Sequence, residues 1–482
     1  MDNDRAARLA DERIAEFRAE IDCPGVAYGL VRDGELVHAS GVGEVVVGTG
    51  RAPGADDVFR IASMTKSFTA ATVLLLRDRG ALRLDDVLSA HLPWTDGLRP
   101  VDGGPPITIR DLLTMTAGFP TDDPWGDRHE SLAVEDFDAL VAGGISFARA
   151  PRTGYEYSNL GYALLGRVLT VASGTDYRDL VHRELVDPLG MASTRYDARE
   201  VPADRLVQGY APVDAGLVPE PVAGPGAFSA MGGIHSTVRD LARWVGGFQR
   251  SWRGDVAHPL SRWTLREMQE PHAYVGTAVV PASDDVPERV VSTSYGFGLV
   301  VEDDLRLGRV VSHSGGYPGF GSHMRWHPES GWGVVVLGNR TYANARRVAG
   351  PLLASIVERH RAEHPTDAAA ALWSRTRAAM DVVESLLESW DESLADAWLA
   401  PNVDLDRPRA ERRSAVAGVR SRIGPFTRSD RPVQSSSPAQ ARWWLDGARG
   451  GAWAEVLLSP DREPLIQSFT VSTEPPPAPG AA

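Results

Sequence analysis

The chain has 482 residues, of which 43% are hydrophobic, enough to bury more than one core. Its net charge of −14 argues against a nucleic acid or an anionic membrane as partner, because both require a basic face. The single cysteine, Cys23, excludes an intrachain disulfide framework and is compatible with a reducing compartment.

The first 21 residues are polar and charged, which predicts an amphipathic helix and not a secretory signal. No run of eighteen apolar residues follows in the sequence, so no membrane-spanning helix is predicted. We therefore expect a cytoplasmic protein. Next, residues 25–31 and 36–43 flank Asp33-Gly34, a dipeptide that predicts a tight β-hairpin.

Residues 63–79 predict the second helix, with a stripe of apolar side chains at Met64, Phe68, Ala71 and Leu75. Ser63 would occupy its first turn, where the helix dipole adds a partial positive potential. Lys66 would then lie one turn away on the same face, close enough for a hydrogen bond with Ser63.

The following 280 residues or so predict a helical lobe and then a sheet. Helical patterns dominate 131–191 and 236–248, and strand-like runs precede a last helix at 347–360; these runs lie at 294–302, 309–312, 323–326 and 332–337. The order predicts an α+β domain over residues 1–362, in which one antiparallel sheet is built from both ends of the domain and flanked by helices.

Residues 363–367 are typical of a linker, and a second, smaller α+β domain is predicted at 368–473. It would contain a long alanine-rich helix at 368–400, a charged helix at 408–423 and three strands at 441–445, 452–458 and 465–472. The proline-rich residues 474–482 predict a disordered tail.

Lys66 is the only lysine among the 50 lysine and arginine residues. An arginine stays protonated at any useful pH, whereas a buried lysine amine can lose its proton and act as a base. A Ser-x-x-Lys motif is the arrangement in which such a lysine activates a serine. Ser63 is therefore the candidate nucleophile and Lys66 its candidate base.

Two later segments supply the remaining groups that such an enzyme needs. Tyr157 can relay a proton if a nearby cation lowers its pKa, and the Asn159 amide can bond both Lys66 and a substrate carbonyl. His313, in the run His-Ser-Gly-Gly, begins a predicted strand edge where glycines allow a substrate backbone to approach.

With these three motifs in this order, the chain resembles the serine hydrolases of the penicillin-binding-protein and class C β-lactamase type over about residues 10–360. The resemblance implies a β-lactamase/transpeptidase-like fold, with no cofactor and no metal. It also implies roles for individual residues: Ser63 as nucleophile, Lys66 as base, Tyr157 as proton relay, Asn159 as substrate-orienting group, Ser314 and Gly315 as substrate-binding residues, and the backbone N–H groups of Ser63 and Gly316 as the oxyanion hole.

Two features depart from that family's pattern. His313 stands where many members have a lysine, which weakens a cationic clamp for a carboxylate and argues against true β-lactamase activity. Met115 and Ala117 replace the histidine and serine expected in a segment resembling LLTHTSG.

Two groups of polar residues could suggest a metal site, but they indicate one less strongly than the three motifs indicate a serine hydrolase. His323 and His327 are four residues apart in a strand-like run, but no third ligand is evident. A second cluster comprises Asp122, Asp123, Asp127 and His129. We expect no bound metal. In the smaller domain, Trp443 and Trp444 are expected in the core, with a ligand shelf as the alternative.

The layout is similar to that of stand-alone penicillin-binding-protein-type thioesterases of nonribosomal-peptide pathways, which append a small lipocalin-like domain. The resemblance implies that the substrate is a peptidyl thioester on a carrier protein, which is released and closed head to tail. A cytosolic enzyme would not meet wall peptidoglycan, so wall peptidases are disfavoured. An esterase, a D-amino-acid amidase or peptidase, or a weak β-lactamase remains an alternative with a small ester or peptide substrate. A non-catalytic acyl-binding sensor is another.

Overall fold

The computed structural model describes residues 1–98, 100, 103–214, 216–254, 257–282, 286–364 and 371–474. The chain divides into two compact units, Met1–Glu363 and His364–Ala482. Most of the linker predicted at 363–367 and nearly all of the tail predicted at 474–482 lie outside the described residues. Across the described ranges, no helix combines the length and apolar character needed to cross a bilayer.

The first unit is built on one eight-stranded sheet in the order β2-β1-β12-β11-β10-β9-β8-β7. Its strands are antiparallel, and two small strand pairs, β3 with β6 and β4 with β5, lie outside it. The strands are β1 (Gly25–Arg32), β2 (Glu35–Gly43), β3 (Phe59–Arg60), β4 (Tyr210–Val213), β5 (Gly216–Pro219), β6 (His235–Ser236), β7 (Ala273–Val280), β8 (Arg289–Tyr295), β9 (Val300–Asp304), β10 (Gly308–Tyr317), β11 (Phe320–Trp326) and β12 (Trp332–Gly338).

Helices cover both faces of this sheet. They are α1 (Asn3–Glu20), α2 (Thr65–Asp78), α3 (Leu88–His91), α4 (Ile109–Leu113), α5 (Asp123–Arg128), α6 (Val134–Ala142), α7 (Asn159–Ser173), α8 (Tyr177–Val181), α9 (Ser229–Gly232), α10 (Val238–Ser251), α11 (Arg262–Met268) and α12 (Arg346–Glu363). One face packs against α1 and α12, with a core that includes Phe17 and Trp332. The other packs against α10 and continues into the helical lobe.

The predicted hairpin and the predicted sheet are confirmed. Asp33 and Gly34 have φ values of 53° and 89°, the left-handed conformations of a two-residue turn whose twist matches that of the strands. The pairing of β1 with β12 joins the two ends of the unit in one sheet. The prediction missed β7, whose side chains are mostly exposed, and it merged β8 with β9.

Helix α2 differs from its prediction because it is buried on every side. A 3-10 turn, Ala62–Met64, precedes it, and its residues from Thr65 to Leu76 are all buried. Its polar side chains are therefore hydrogen-bonded inside the protein, as in the bond from Thr69 Oγ to the Ala230 carbonyl, 2.6 Å long. The stripe of apolar residues predicted the helix. It did not predict that the helix is buried on all sides, because threonine, serine and alanine on the remaining faces are also common on exposed helices.

The second unit has its own core and a four-stranded antiparallel sheet in the order β13-β14-β15-β16. Its elements are α13 (Ser374–Glu388), α14 (Glu392–Trp398), α15 (Pro401–Asp406), α16 (Arg409–Ile423), β13 (Phe426–Arg428), β14 (Gln440–Gly447), β15 (Gly450–Leu458) and β16 (Ile466–Ser472). The sheet is open and carries helices, unlike the closed eight-stranded lipocalin barrel. The single long helix predicted at 368–400 was wrong, because the chain leaves α13 after Glu388 and Asp391 caps α14. Trp443 lies in the core, as expected, whereas Trp444 is half-buried.

Candidate active site

Ser63 lies at the turn between β3 and α2. The preceding residue, Ala62, has φ 49°, a left-handed conformation that costs a non-glycine residue free energy and is often found at functional sites. The Ser63 side chain is 8% exposed, at the floor of the site. The strained turn thus places the serine directly before the fully buried helix α2.

Lys66 is fully buried and surrounded by three oxygen atoms. Its Nζ lies 2.9 Å from Ser63 Oγ, 2.6 Å from Asn159 Oδ1 and 2.9 Å from the carbonyl oxygen of Met231. The structure thus brings together the serine, lysine and asparagine that the sequence predicted as a group.

Burial lowers the pKa of the Lys66 amine to about 8, although the carboxylates of Asp123, Asp127 and Asp122 act to raise it. A neutral amine has two hydrogens and one lone pair. The Asn159 Oδ1 atom and the Met231 carbonyl can only accept hydrogen bonds, so they take the two hydrogens. The lone pair then faces Ser63 Oγ, which is the geometry of a base about to accept the serine proton.

Tyr157 is half-buried beside the same amine, with Lys66 Nζ 4.9 Å from the centre of its ring. Burial raises the pKa of its phenol well above the usual value, and the charge of Asp123 is the second largest cause. A hydrogen bond with Ser63 acts to lower this pKa. The lowered pKa on which the proposed relay was conditional is therefore not found. A phenol that keeps its proton serves as a hydrogen-bond donor and proton conduit, not as a free phenolate.

Asn159 is the first residue of α7 and is held by two aspartates. Asp122 accepts hydrogen bonds from the backbone N–H groups of Asn159 (2.6 Å) and Leu160 (2.8 Å), and so caps the helix. Asp123 Oδ1 accepts from the side-chain Nδ2 of Asn159 at 2.8 Å. The two aspartates, considered before only as possible metal ligands, therefore support the site.

Met115, one of the departures from the family pattern, fixes the segment that carries Tyr157. Its carbonyl oxygen accepts from the Glu156 N–H at 2.8 Å, and its sulfur accepts from the Ser158 N–H at 3.3 Å. The residue is buried and has φ 60°. Met115 thus contacts the backbone on both sides of Tyr157, and the substitution itself supplies the sulfur contact with Ser158.

The predicted strand edge corresponds to the second half of β10. This strand is internal in the sheet, but its second half has a neighbour on one side only. It pairs with β9 only from Gly308 to Ser312, so the residues from His313 to Tyr317 have a strand partner on the β11 side alone. A two-residue turn joins Tyr317 to Phe320 and makes them a hydrogen-bonded pair. Hydrogen-bonded and non-bonded pairs alternate, so the Gly316 N–H points away from β11, toward the free edge.

The same half of β10 packs closely against the serine turn. A Cβ on Gly315 would lie 2.1 Å from the Ile61 carbonyl oxygen, and one on Gly316 would lie 2.8 Å from the ring of Tyr342. Glycine is required for this approach at position 315, where a Cβ would meet backbone, whereas at position 316 the Tyr342 ring would have to move. Ser314 is exposed beside them, and its Oγ lies 2.8 Å from His323 Nδ1. The oxyanion role of Ser63 and Gly316 stays a prediction with which this geometry is compatible.

His313 is buried and takes no part in a cationic clamp. Burial is the main cause that lowers the pKa of His313 to about 3, and the charge of Lys66 is the second, so the imidazole is neutral. Its Nδ1 donates to the Ser314 carbonyl at 2.7 Å, which leaves Nε2 to accept from the Tyr295 hydroxyl at 3.0 Å. The position that is often a lysine in related enzymes here carries no charge.

Sequence reasoning missed Tyr342, which has φ 48° and is 46% exposed. Its hydroxyl donates to Asp127 Oδ2 at 2.8 Å. Burial raises the pKa of Asp127 to about 6, against the effects of the Tyr342 hydrogen bond and of the Lys66 charge. No sequence signal marks Tyr342, because it becomes part of the site only when the segment after β12 packs against the turn between β10 and β11, where its N–H donates to the carbonyls of Tyr317 and Phe320.

The residues considered for a metal have other partners. His327 Nε2 lies 2.6 Å from the Leu307 carbonyl, and His129 Nδ1 lies 2.7 Å from the Trp125 carbonyl. Within the described ranges, no group of three or more His, Cys, Asp or Glu side chains has the arrangement of a metal site.

Comparison with known proteins places this site in a family. The family model described as Beta-lactamase matches residues 10–359. AmpH of Escherichia coli K12, named a D-alanyl-D-alanine-carboxypeptidase/endopeptidase, is 29% identical over 327 residues, which cover 66% of this chain and 80% of AmpH. Penicillin-binding protein 4* of Bacillus subtilis 168 is 28% identical over 302 residues, covering 59% of this chain and 61% of its own length.

Two further matches extend the picture. The unguisins hydrolase ungD' of Aspergillus campestris is 27% identical over 352 residues, covering 67% of this chain and 59% of its own. Among solved structures, the octameric penicillin-binding protein homologue from Pyrococcus abyssi matches with a TM-score of 0.62 and 21% identity, over 95% of this chain and 99% of that one, which shows a shared fold. The predicted β-lactamase/transpeptidase-like fold is confirmed, and the chain belongs to the β-lactamase family, as a serine hydrolase of the penicillin-binding-protein type.

Proposed function

We propose that the protein transfers peptidyl acyl groups through an ester on Ser63, and that its main product is a peptide closed head to tail. The observation that carries the acyl-enzyme step is the contact between Lys66 Nζ and Ser63 Oγ at 2.9 Å, with the other two directions of the amine occupied by oxygen acceptors. No other lysine is present in the chain to act as an alternative base.

The proposed reaction begins when Lys66 takes the proton of Ser63 while Oγ forms a bond to the acyl carbon. The N–H groups of Ser63 and Gly316 bind the developing oxyanion. The proton then passes from Lys66 through the hydroxyl of Tyr157 to the leaving sulfur, oxygen or nitrogen, and the bond from the acyl carbon to that atom breaks. In the second half, an amine or water attacks the ester and returns a proton to Ser63 by the reverse route.

The preferred leaving group follows from the neutral state of His313. A carboxypeptidase substrate carries a free carboxylate on its leaving residue, which is best bound by a fixed cation. His313 offers none, since its two ring nitrogens are bonded to Ser314 and Tyr295. Thioesters, esters and internal amides need no such cation, and we propose these as the acyl donors.

Cyclisation requires that the peptide's own amine outcompete water for the Ser63 ester. Holding that amine near the acyl carbon supplies an effective concentration far above that of a free amine. Support for a peptide substrate comes from AmpH, whose name refers to the cleavage of peptides. The carrier-bound thioester, the cytoplasmic location and the cyclic product remain predictions from the sequence.

The test is a product analysis with linear peptide thioesters that have a D-configured C-terminal residue, as the resemblance implies. We expect a product lighter than the linear acid by one water. Matched peptides that end in a free D-Ala-D-Ala carboxylate should react more slowly than the same peptides blocked as amides. A panel that yields only linear acids while simple esters turn over well would support the esterase alternative.

A further inference from the structure

We propose that Asp123 is a positioning residue that keeps the Lys66 lone pair available to Ser63 by fixing the orientation of the Asn159 amide. This inference rests on the proposed acyl-enzyme at Ser63. It adds a residue outside the three motifs, the first residue of α5.

The geometry is a continuous chain of hydrogen bonds. Asp123 Oδ1 accepts from Asn159 Nδ2 at 2.8 Å, and Asn159 Oδ1 accepts from Lys66 Nζ at 2.6 Å. Lys66 Nζ is 2.9 Å from Ser63 Oγ. Asp122 holds the backbone of Asn159 at the start of α7, so the asparagine is fixed both at its main chain and at its side chain.

An asparagine amide can turn over and exchange its oxygen with its nitrogen at almost no steric cost. A carboxylate accepts hydrogen bonds but does not donate them, so Asp123 selects the orientation with Nδ2 toward itself. Without it, Nδ2 could face Lys66 and donate to the lone pair of the neutral amine. The lone pair would then be occupied, and Ser63 would lose its base.

The backbone leaves the Asn159 side chain little room to move elsewhere. A Cβ on Gly126 of α5 would lie 2.9 Å from Asn159 Cβ, so the helix packs directly on the asparagine. Asp123 is at the start of this same helix, which makes its carboxylate and Gly126 parts of one support.

Asp123 also contributes charge near Lys66. The titratable or charged groups around this amine are Asp122, Asp123 and Asp127 from α5 and its cap, Tyr157 and Tyr162 from the α7 region, and His313 from β10. Among the carboxylates, Asp123 has the largest effect on Lys66. The charge of Asp123 favours the protonated form of Lys66. Its hydrogen bond to Asn159 keeps the lone pair of the neutral form directed at Ser63. A substitution that removes the charge but keeps the hydrogen bond therefore separates the two effects.

The experiment measures the rate at which a fluorophosphonate labels Ser63 as a function of pH. Asp123→Asn removes the charge but leaves a carbonyl oxygen that can still accept from Asn159 Nδ2. We expect the midpoint of its pH profile to fall by about half a pH unit or more, with the high-pH plateau nearly kept. Asp123→Ala loses both functions, so we expect its plateau to fall about tenfold or more.

Asp138→Asn is the matched control, because Asp138 pairs with Arg167 and its loss should change neither plateau nor midpoint. Circular dichroism would establish that each variant is folded. If Asp123→Ala is not, Asp123→Leu, which has a side chain of similar size without an acceptor, gives the same plateau test. Unchanged profiles in both Asp123 variants would overturn the inference, as would an equal plateau loss in both. Failure of the wild-type protein to label at Ser63 would instead refute the proposed acyl-enzyme.

Discussion

At the scale of single residues, the reactivity of Ser63 depends on one lone pair. Lys66 is buried beside Asn159 and the Met231 carbonyl, which leave only the direction of Ser63 open. Burial favours the neutral amine and the neighbouring carboxylates oppose it. The balance places the base close to the pH at which an enzyme works, which is where general-base catalysis is most efficient.

Replacing Lys66 with arginine should abolish most of the activity. Lys66→Arg keeps a positive charge but cannot accept a proton, so turnover should fall by about a hundredfold or more, as for loss of a general base. Steady-state kinetics with a simple ester measures this. A rate near that of the wild type would mean that Lys66 acts only through its charge.

The rate should also rise with pH. The protonated form of Lys66 is inactive as a base, and its pKa is lowered to about 8, so kcat/KM should increase as the pH rises through that value and then level off. Measurements of kcat/KM at constant ionic strength between about pH 6 and 10 would show this rise and the plateau above it. A flat profile, or one that falls with pH, would contradict the assignment of the base.

The sequence predicted these side chains because their chemistry requires fixed residue types at fixed spacings. It could not predict the state of His313 or Tyr157, because their pKa values are set by burial among residues distant in the chain. Asp123 and Tyr342 were missed for the same reason. Their roles depend on α5 and on the segment after β12 meeting the motifs in space.

At the scale of elements, the site is formed where the second half of β10 passes the turn before α2. The close packing of Gly315 against the Ile61 carbonyl sets the distance between the free strand edge and the nucleophile. A hydrogen bond of 2.7 Å from Ser322 Oγ to the same carbonyl ties β11 to this turn. The turn, β10 and β11 therefore act as one support for the substrate backbone.

A methyl group at Gly315 should separate these elements. In Gly315→Ala the new Cβ would lie 2.1 Å from the Ile61 carbonyl and 2.3 Å from Ser322 Oγ, so the strand must shift. We expect a loss of stability of about 1–3 kcal/mol and a fall in the Ser63 labelling rate. Thermal unfolding and fluorophosphonate labelling measure the two effects.

Gly350→Ala provides the control for that substitution. Gly350 is inside α12 with open space at its Cβ position, so alanine should raise stability by about 0.5–1 kcal/mol and leave labelling unchanged. If both variants lose labelling to the same extent, the close approach at Gly315 is not what sets the geometry.

At the scale of the whole molecule, two units with separate cores make up the chain, and every candidate catalytic residue lies in Met1–Glu363. The turn signals, strand alternation and motif order were enough to predict the hairpin and the shared sheet of the first unit, but not β7 or the central position of α2. The second was predicted less well. The long helix predicted at 368–400 is interrupted at Ser389 to Asp391, where no glycine marks a break, and α15 was not predicted.

Removal of the second unit should separate acylation from cyclisation. We expect residues 1–363 alone to label at Ser63, because the site and both cores of that unit are retained. The products from peptide thioesters should shift from the cyclic peptide toward the linear acid. Unchanged product ratios in a folded, labelled fragment would show that cyclisation does not depend on the second unit.

The most direct test of the central claim, that Ser63 carries the acyl group, is intact-mass analysis after incubation with a fluorophosphonate. We expect a single adduct on the wild-type protein, located at Ser63 by peptide mapping, and none on Ser63→Ala. Equal labelling of Ser63→Ala, or an adduct at another residue, would contradict the claim, and a folded wild-type protein that stays unlabelled would favour the non-catalytic sensor.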